Sequence, residues 1–197
     1  FIIVILNYMA EKIRLRLKKQ GLDPDGKDIE AFNHELRLVA QKVFGIDINP
    51  NLVRVARMNM LMNNDGQGGI THLDSLAPPE KWNFPAGVIR LYQDNKTWKD
   101  ISIEEYLRNE LQLGTFDIVA TNPPFGAKIK IESEIILSQY ELARKWVYDG
   151  ERHLWSPTPF LQSGVAPEIL FLERCVSLLK PGTGKLCIVL PDGILGN

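Results

Sequence analysis

The sequence predicts an α/β fold with a doubly wound, mostly parallel sheet, and three observations carry that prediction. Four apolar runs, at residues 43–48, 70–73, 116–121 and 185–190, are too short for helices and read as strands. Helical periodicity covers residues 1–20, 30–41, 51–64, 102–112 and 166–180, so strands and helices alternate along the chain. Asn and Pro close several of these segments abruptly, which shortens the loops at the sheet edge where α/β folds bind ligands.

The elements follow in order. The apolar start, Phe1 to Leu6, meets its first charge at Glu11 and a dense basic run from Arg14 to Lys19. A membrane span needs about 20 apolar residues, and no basic leader precedes the run, so it reads as a buried helix that turns amphipathic. Gly21 stops that helix, with Lys18 and Lys19 suited to its C-terminal dipole. Asp23-Pro24-Asp25-Gly26-Lys27-Asp28 resembles a calcium loop only briefly. Lys27 takes a ligand position and His34 stands where the bidentate Glu belongs, so an acidic turn is expected.

The strand at 43–48 ends in Asp47 and Ile48, and Asn49-Pro50 opens the helix at 51–64. Gly66-Gln67-Gly68-Gly69 lacks the spacing of a dinucleotide loop and reads as a connector to the strand at 70–73. Asp74, Ser75 and Leu76 come next. Two stretches interrupt the alternation, 80–113 and 127–164. The second mixes Lys128, Lys130, Arg144, Lys145 and Arg152 with Trp146, Tyr148 and Trp155. That mixture suits either a nucleic-acid contact or a solvated helix with a surface loop. Pro167 sits at the start of the helix at 166–180, and Pro181-Gly182 ends it before the strand at 185–190.

Composition narrows the class. With 197 residues and 45% hydrophobic content, the chain has ample material for a core. A formal charge of −1 lacks the basic footprint of a free-standing nucleic-acid binder, so any grip on a phosphate backbone is local or supplied elsewhere. Cys175 and Cys187 match no metal spacing and are expected as buried, reduced thiols of a cytoplasmic protein. His34, His72 and His153 are scattered, and no metal site is expected.

The chemistry concentrates at strand ends. Residues 116–121 read as a buried parallel strand, and Asn122-Pro123-Pro124-Phe125 follows at once. Both prolines fix φ near about −65° and donate no N–H, so the loop is stiff. It presents an amide, a proline carbonyl and an aromatic face. Those are the groups needed to accept from an exocyclic amine and to stack its base. Asp47 at a preceding strand tip can accept two ribose hydroxyls of a nucleoside cofactor, or cap the following helix. Asp74 at the next tip can accept from an adenine amine, with Ile48 or Leu76 against the ring. Three successive strand ends therefore carry an acid, an acid and the Asn-Pro-Pro-Phe loop, and are expected to converge on one crevice.

Asn122-Pro123-Pro124-Phe125 after an apolar strand resembles the catalytic signature of S-adenosylmethionine-dependent amino-methyltransferases, and its Phe form resembles the adenine-N6 DNA methyltransferases. Gly45-Ile46-Asp47-Ile48-Asn49-Pro50 and Pro167-Glu168-Ile169-Leu170-Phe171-Leu172-Glu173-Arg174, with Leu190-Pro191-Asp192-Gly193, are similar to the modification subunits of type I-like restriction systems. The resemblance implies a Rossmann-like fold forming part of one catalytic domain over 1–197. It implies methyl transfer to the N6 amine of a flipped adenine in DNA, with a specificity subunit or separate recognition domain as partner. Asn122, Pro123, Pro124 and Phe125 would be catalytic, and Asp47, Ile48, Asp74, Ser75, Leu76 and Asn122 would hold S-adenosylmethionine. The family's first strand and Gly-rich loop are expected upstream of Phe1, and its last strands beyond Asn197. The same tetrapeptide chemistry also serves RNA-base and protein-glutamine methylation. A catalytically silent assembly module is the alternative from another class.

Overall fold

The computed structural model describes residues 2–62, 69–125 and 129–195. By Cα proximity the chain forms two compact units, Phe1–Asp74 with Asn83–Leu111, and Ser75–Trp82 with Gln112–Asn197.

The first unit begins with α1 (Ile2–Lys19) and α2 (Ile29–Ala40). Along α1, Ile2, Ile3, Leu6 and Met9 recur at helical spacing and join Ala40, Val43, Val53, Met60 and Ile70 in one apolar cluster. Further along α1, Ile13 and Leu17 pack with Phe32 of α2. Gly21, at φ 81°, ends α1, and Leu22 N–H reaches back to Leu17 O at 3.1 Å. That is the left-handed helix stop the sequence places there. In the turn that follows, Asp25 accepts from Lys18 at 2.6 Å and Arg14 at 3.2 Å. The Lys18 hydrogen bond, ahead of the other charge effects, holds its carboxyl below the usual carboxylate range.

β1 (Gly45–Asp47), α3 (Pro50–Met62) and β2 (Ile70–His72) form a strand–helix–strand unit, and the two strands are parallel, Gly45 beside Ile70 and Asp47 beside His72. Gly69 is more than a connector: a Cβ there would lie 2.1 Å from Val43 O, so only glycine lets the backbones close. The rest of that connector, residues 66–68, lies outside the described residues. β3 (Val88–Tyr92) and β4 (Trp98–Ser102) form an antiparallel ribbon, followed by α4 (Ile103–Glu110). Ser102 caps α4 by accepting from Glu105 N–H. Gln41 side-chain bonds to the Tyr92 backbone, and a Tyr106 hydroxyl donating to Gln41 O, tie α2, β3 and α4 together.

The second unit holds a short 3-10 turn at Pro79–Lys81, then β5 (Ile118–Thr121), α5 (Glu134–Leu137) and the antiparallel ribbon β6 (Arg144–Asp149) and β7 (Leu154–Leu161). α6 (Pro167–Leu178), β8 (Lys185–Ile188) and α7 (Asp192–Leu195) complete it. β5 and β8 are parallel, Ile118 beside Lys185 and Thr121 beside Ile188. Leu76, Leu137, Tyr140, Ala143, Val165 and Leu170 make the core.

The α/β class holds: all four expected strands and all five expected helices are present, most over shorter spans and α2 shifted by one residue at the same length. The described pairings are four separate two-stranded sheets, and a doubly wound sheet is not among them. The stretches 80–113 and 127–164, expected as interruptions, spend their backbone bonds on ribbons of their own, β3 with β4 and β6 with β7. The solvated helix considered for the second stretch is therefore corrected to a β-ribbon. Aromatic and β-branched residues at 146–148, followed by Asp149-Gly150, are a hairpin signal that could have found it. Two further expectations change. β5 is parallel but not buried: Ile118 is 60% exposed and Val119, Ala120 and Thr121 are only half-buried, so no residue of the strand is sealed in a core. Cys175 is buried in α6, whereas Cys187 is exposed, because in β8 it alternates outward with Lys185 while Leu186 and Ile188 turn in.

Candidate functional site

The first unit brings two of the predicted residues to one edge. Parallel pairing puts Asp47 and His72 side by side, and Leu73 N–H donates to Asp47 O at 3.2 Å, so β1 and β2 finish together. Asp74 lies two residues past His72 at the same carboxyl edge and is half-buried. A His72 ring nitrogen meets Ile48 O at 2.9 Å and fastens the two tips to each other.

Asp47 is not the cap of α3. Asn49 is: its Oδ1 accepts from Asn51 N–H at 2.9 Å and from Leu52 N–H at 3.4 Å, the second and third positions of the helix. Asp47 instead accepts Asn49 N–H through Oδ1 at 2.7 Å. Among the described residues that is the one partner recorded for its carboxylate, so acceptor capacity remains. Beside it Ile48 stands 66% exposed, an apolar side chain at a strand tip. A carboxylate with a spare oxygen next to an uncovered apolar surface fits a nucleoside: hydroxyls for the acid, a ring face for the isoleucine.

The second unit holds Ser75, Leu76 and the tetrapeptide. Ser75 is half-buried. Leu76 is a core residue, 4% exposed, and its carbonyl accepts from Tyr140 Oη at 2.9 Å and Gln139 Nε2 at 3.1 Å. Its side chain thus anchors the segment and does not stand open like that of Ile48. Asn122 follows directly on β5, whose ladder with β8 extends one step further through Val189 N–H to Thr121 O at 3.2 Å. Pro123 is buried and pins the loop, while Asn122 and Pro124 are exposed and Phe125 is 44% exposed. A buried proline between an exposed amide and a half-open aromatic makes a rigid mount for two groups that can face a ligand. Residues 126–128, including Lys128, lie outside the described residues.

No cluster of three or more metal-ligating side chains occurs among the described residues. No helix among them is long and apolar enough to cross a membrane. Sequence reasoning missed a polar network around Arg174, which is 4% exposed and bonds Tyr140, Gln139 and Ala77 O. No local pattern announces it, because its members are far apart in sequence.

The chain is thus of the α/β class, with acids at the tips of two parallel strands and an Asn-Pro-Pro-Phe loop after another. The chain belongs to the Eco57I restriction-modification methylase family, whose model matches residues 41–197. No curated protein and no solved structure matches it. The match takes in Asp47, Asp74 and Asn122 to Phe125, and it assigns the chain to the methyltransferases of restriction-modification systems.

Proposed function

We propose that the chain transfers a methyl group from S-adenosylmethionine to the N6 amine of adenine in DNA, as the modification component of a type I-like restriction-modification system. The observation that carries this reading is the mount formed by buried Pro123 between exposed Asn122 and half-open Phe125. An adenine amine is a weak nucleophile because its lone pair is delocalised into the ring. Asn122 Oδ1 and Pro123 O accept its two N–H groups, drawing the nitrogen toward tetrahedral geometry and stabilising the charge it gains. Bound S-adenosylmethionine supplies an electrophilic methyl on a sulfonium. The S–C bond would break as the N–C bond forms, and the methylated amine would then give its extra proton to solvent. No strong base is needed among the chain's residues.

Asp47 accepts the ribose hydroxyls, Ile48 lies against the ring, Asp74 accepts from the cofactor's adenine amine, and Ser75 and Leu76 fix the backbone that follows. Phe125 stacks on a target base swung out of the duplex, because N6 inside a base pair cannot be approached in line. The near-neutral charge supports sequence recognition by a specificity subunit or a separate recognition domain. The test is methylation of DNA by the native polypeptide with labelled S-adenosylmethionine, followed by nucleoside analysis by mass spectrometry. N6-methyladenine as the product supports the reading. Label on another base, on RNA or protein alone, or on nothing overturns it.

A further inference from the structure

The segment after Asp74 is not held by secondary structure. It is held by side chains, and their arrangement is specific. Two successive carbonyls, Leu76 O and Ala77 O, each accept two side-chain hydrogen bonds. Leu76 O takes Tyr140 Oη at 2.9 Å and Gln139 Nε2 at 3.1 Å. Ala77 O takes Trp82 Nε1 at 3.1 Å and Arg174 Nη2 at 3.2 Å. Arg174 is the hub. Its Nε donates to Tyr140 Oη at 3.0 Å and its Nη2 to Gln139 Oε1 at 2.7 Å, so it orients both groups that hold Leu76 O. Its guanidinium also lies 5.1 Å from the Tyr140 ring centre and 5.9 Å from that of Trp82. The next residue back on α6, Glu173, fixes the other side of the same loop by accepting Glu141 N–H at 2.7 Å and Leu142 N–H at 2.9 Å.

Arg174 is 4% exposed, and among the described residues no carboxylate forms an ion pair with it. Burying a charge without a carboxylate partner is costly, and stability alone gives little reason to keep one there. A planar fork, however, can hold two acceptors and a backbone carbonyl in fixed mutual geometry, which no apolar residue does. The network's product is therefore the conformation of one short backbone segment, at Ser75, Leu76 and Ala77.

We infer that Arg174, acting through Tyr140 and Gln139, is a positioning residue that sets cofactor affinity by fixing the Ser75 and Leu76 backbone. The inference rests on the proposal that this segment faces S-adenosylmethionine. A pre-organised segment binds without an ordering cost; a loosened one must be ordered on binding, and the loss appears in Kd. The methyl-transfer step itself, at Asn122 and Pro123, does not use the network, so turnover at saturating cofactor is spared.

The test uses the native polypeptide with S-adenosylhomocysteine as probe, titrated calorimetrically, and three variants, Tyr140→Phe, Gln139→Leu and Arg174→Met. Tyr140→Phe deletes one hydroxyl without changing shape, so it remains informative if Arg174→Met fails to fold. Each is expected to raise Kd about five- to thirtyfold, the scale of one or two buried hydrogen bonds, while kcat at saturating cofactor stays within about threefold. Arg174→Lys, which keeps the charge but loses the fork, is expected between wild type and Arg174→Met. Hydrogen exchange gives an activity-independent readout. Amides at 75–82 are expected to slow on adding S-adenosylhomocysteine to wild type and to exchange faster, with less slowing, in the variants. If Tyr140→Phe and Gln139→Leu bind as tightly as wild type, or lose kcat instead of affinity, the inference is overturned. If wild type itself does not bind, the cofactor reading falls and takes this one with it.

Discussion

The sharpest consequence of the strand-tip geometry concerns Asp47 and its neighbour Asn49, two polar residues on one turn with separate tasks. Asn49 caps α3 with bonds at 2.9 and 3.4 Å, and Asp47 closes the turn with one bond at 2.7 Å. Asp47→Ala removes that turn bond, worth about 0.5–1.5 kcal/mol, and with it the charged acceptor proposed for the ribose. Hydrogen bonds to a charged group are worth about 1.5–3 kcal/mol, so the dissociation constant for S-adenosylhomocysteine should rise roughly 10- to 150-fold. Asp47→Asn keeps an oxygen for Asn49 N–H and should leave stability nearly unchanged. It should nonetheless lose part of the affinity, since neutral hydrogen bonds are about half as strong as charged ones. Asn49→Ala should do the reverse: about 1 kcal/mol less stable for the lost cap, lowering Tm by about 2–4 °C, with cofactor affinity untouched. Calorimetric titration and thermal denaturation of the three variants separate the two roles. If Asp47→Ala binds within twofold of wild type, or Asn49→Ala weakens binding as much as Asp47→Ala does, the assignment of Asp47 to the cofactor is refuted.

Other consequences are as direct. Asn122→Ala should lower turnover on cognate DNA by on the order of 10²–10³, the scale for one preorganised polar group, and survival of activity within a few-fold would remove Asn122 from the chemistry. Phe125→Trp should be tolerated far better than Phe125→Ala, because stacking on an aromatic is worth about 1–3 kcal/mol per base. A mismatched target, already easier to flip, should restore part of what Phe125→Ala loses, and no rescue would rule out Phe125 as a platform for the flipped base. Burial pushes the Cys175 thiol up to about 11, against a smaller opposing effect of Arg174. Iodoacetamide at pH 8 should therefore label exposed Cys187 and spare Cys175 until the protein is unfolded, which peptide mass spectrometry reads. The same shift makes folding stability fall as pH rises from about 9 toward 11, because the unfolded chain releases a proton that the folded chain keeps. Cys175→Ser should flatten that slope in denaturant titrations.

Local pattern was enough to locate the elements that carry the proposed site. The helix stop at Gly21, the strands ending at Asp47 and Thr121, and the stiff Asn122-Pro123-Pro124-Phe125 loop follow from periodicity, proline geometry and glycine's access to positive φ. All of these act within a few residues. The hairpins β3–β4 and β6–β7 carry a local signal too, aromatic and β-branched residues beside Asp94-Asn95 and Asp149-Gly150, but it is outweighed when only the βα alternation is followed. What the sequence could not determine is which neighbours each residue meets. Whether Asp47 or Asn49 caps α3 depends on backbone angles at a turn, and both residue types suit either task. Leu76 and Ile48 are equally apolar on paper, yet one is sealed among Leu137, Tyr140 and Leu170 while the other stands open beside an acid. The same holds for Cys175 and Cys187, which burial alone distinguishes. Arg174 shows the limit most plainly. Its partners lie 34 to 97 positions away, and only the folded chain brings a guanidinium, a phenol and a backbone carbonyl within hydrogen-bond reach. Hydrophobic period is a local property of the chain, whereas polar satisfaction in a core depends on long-range contacts that only tertiary packing creates.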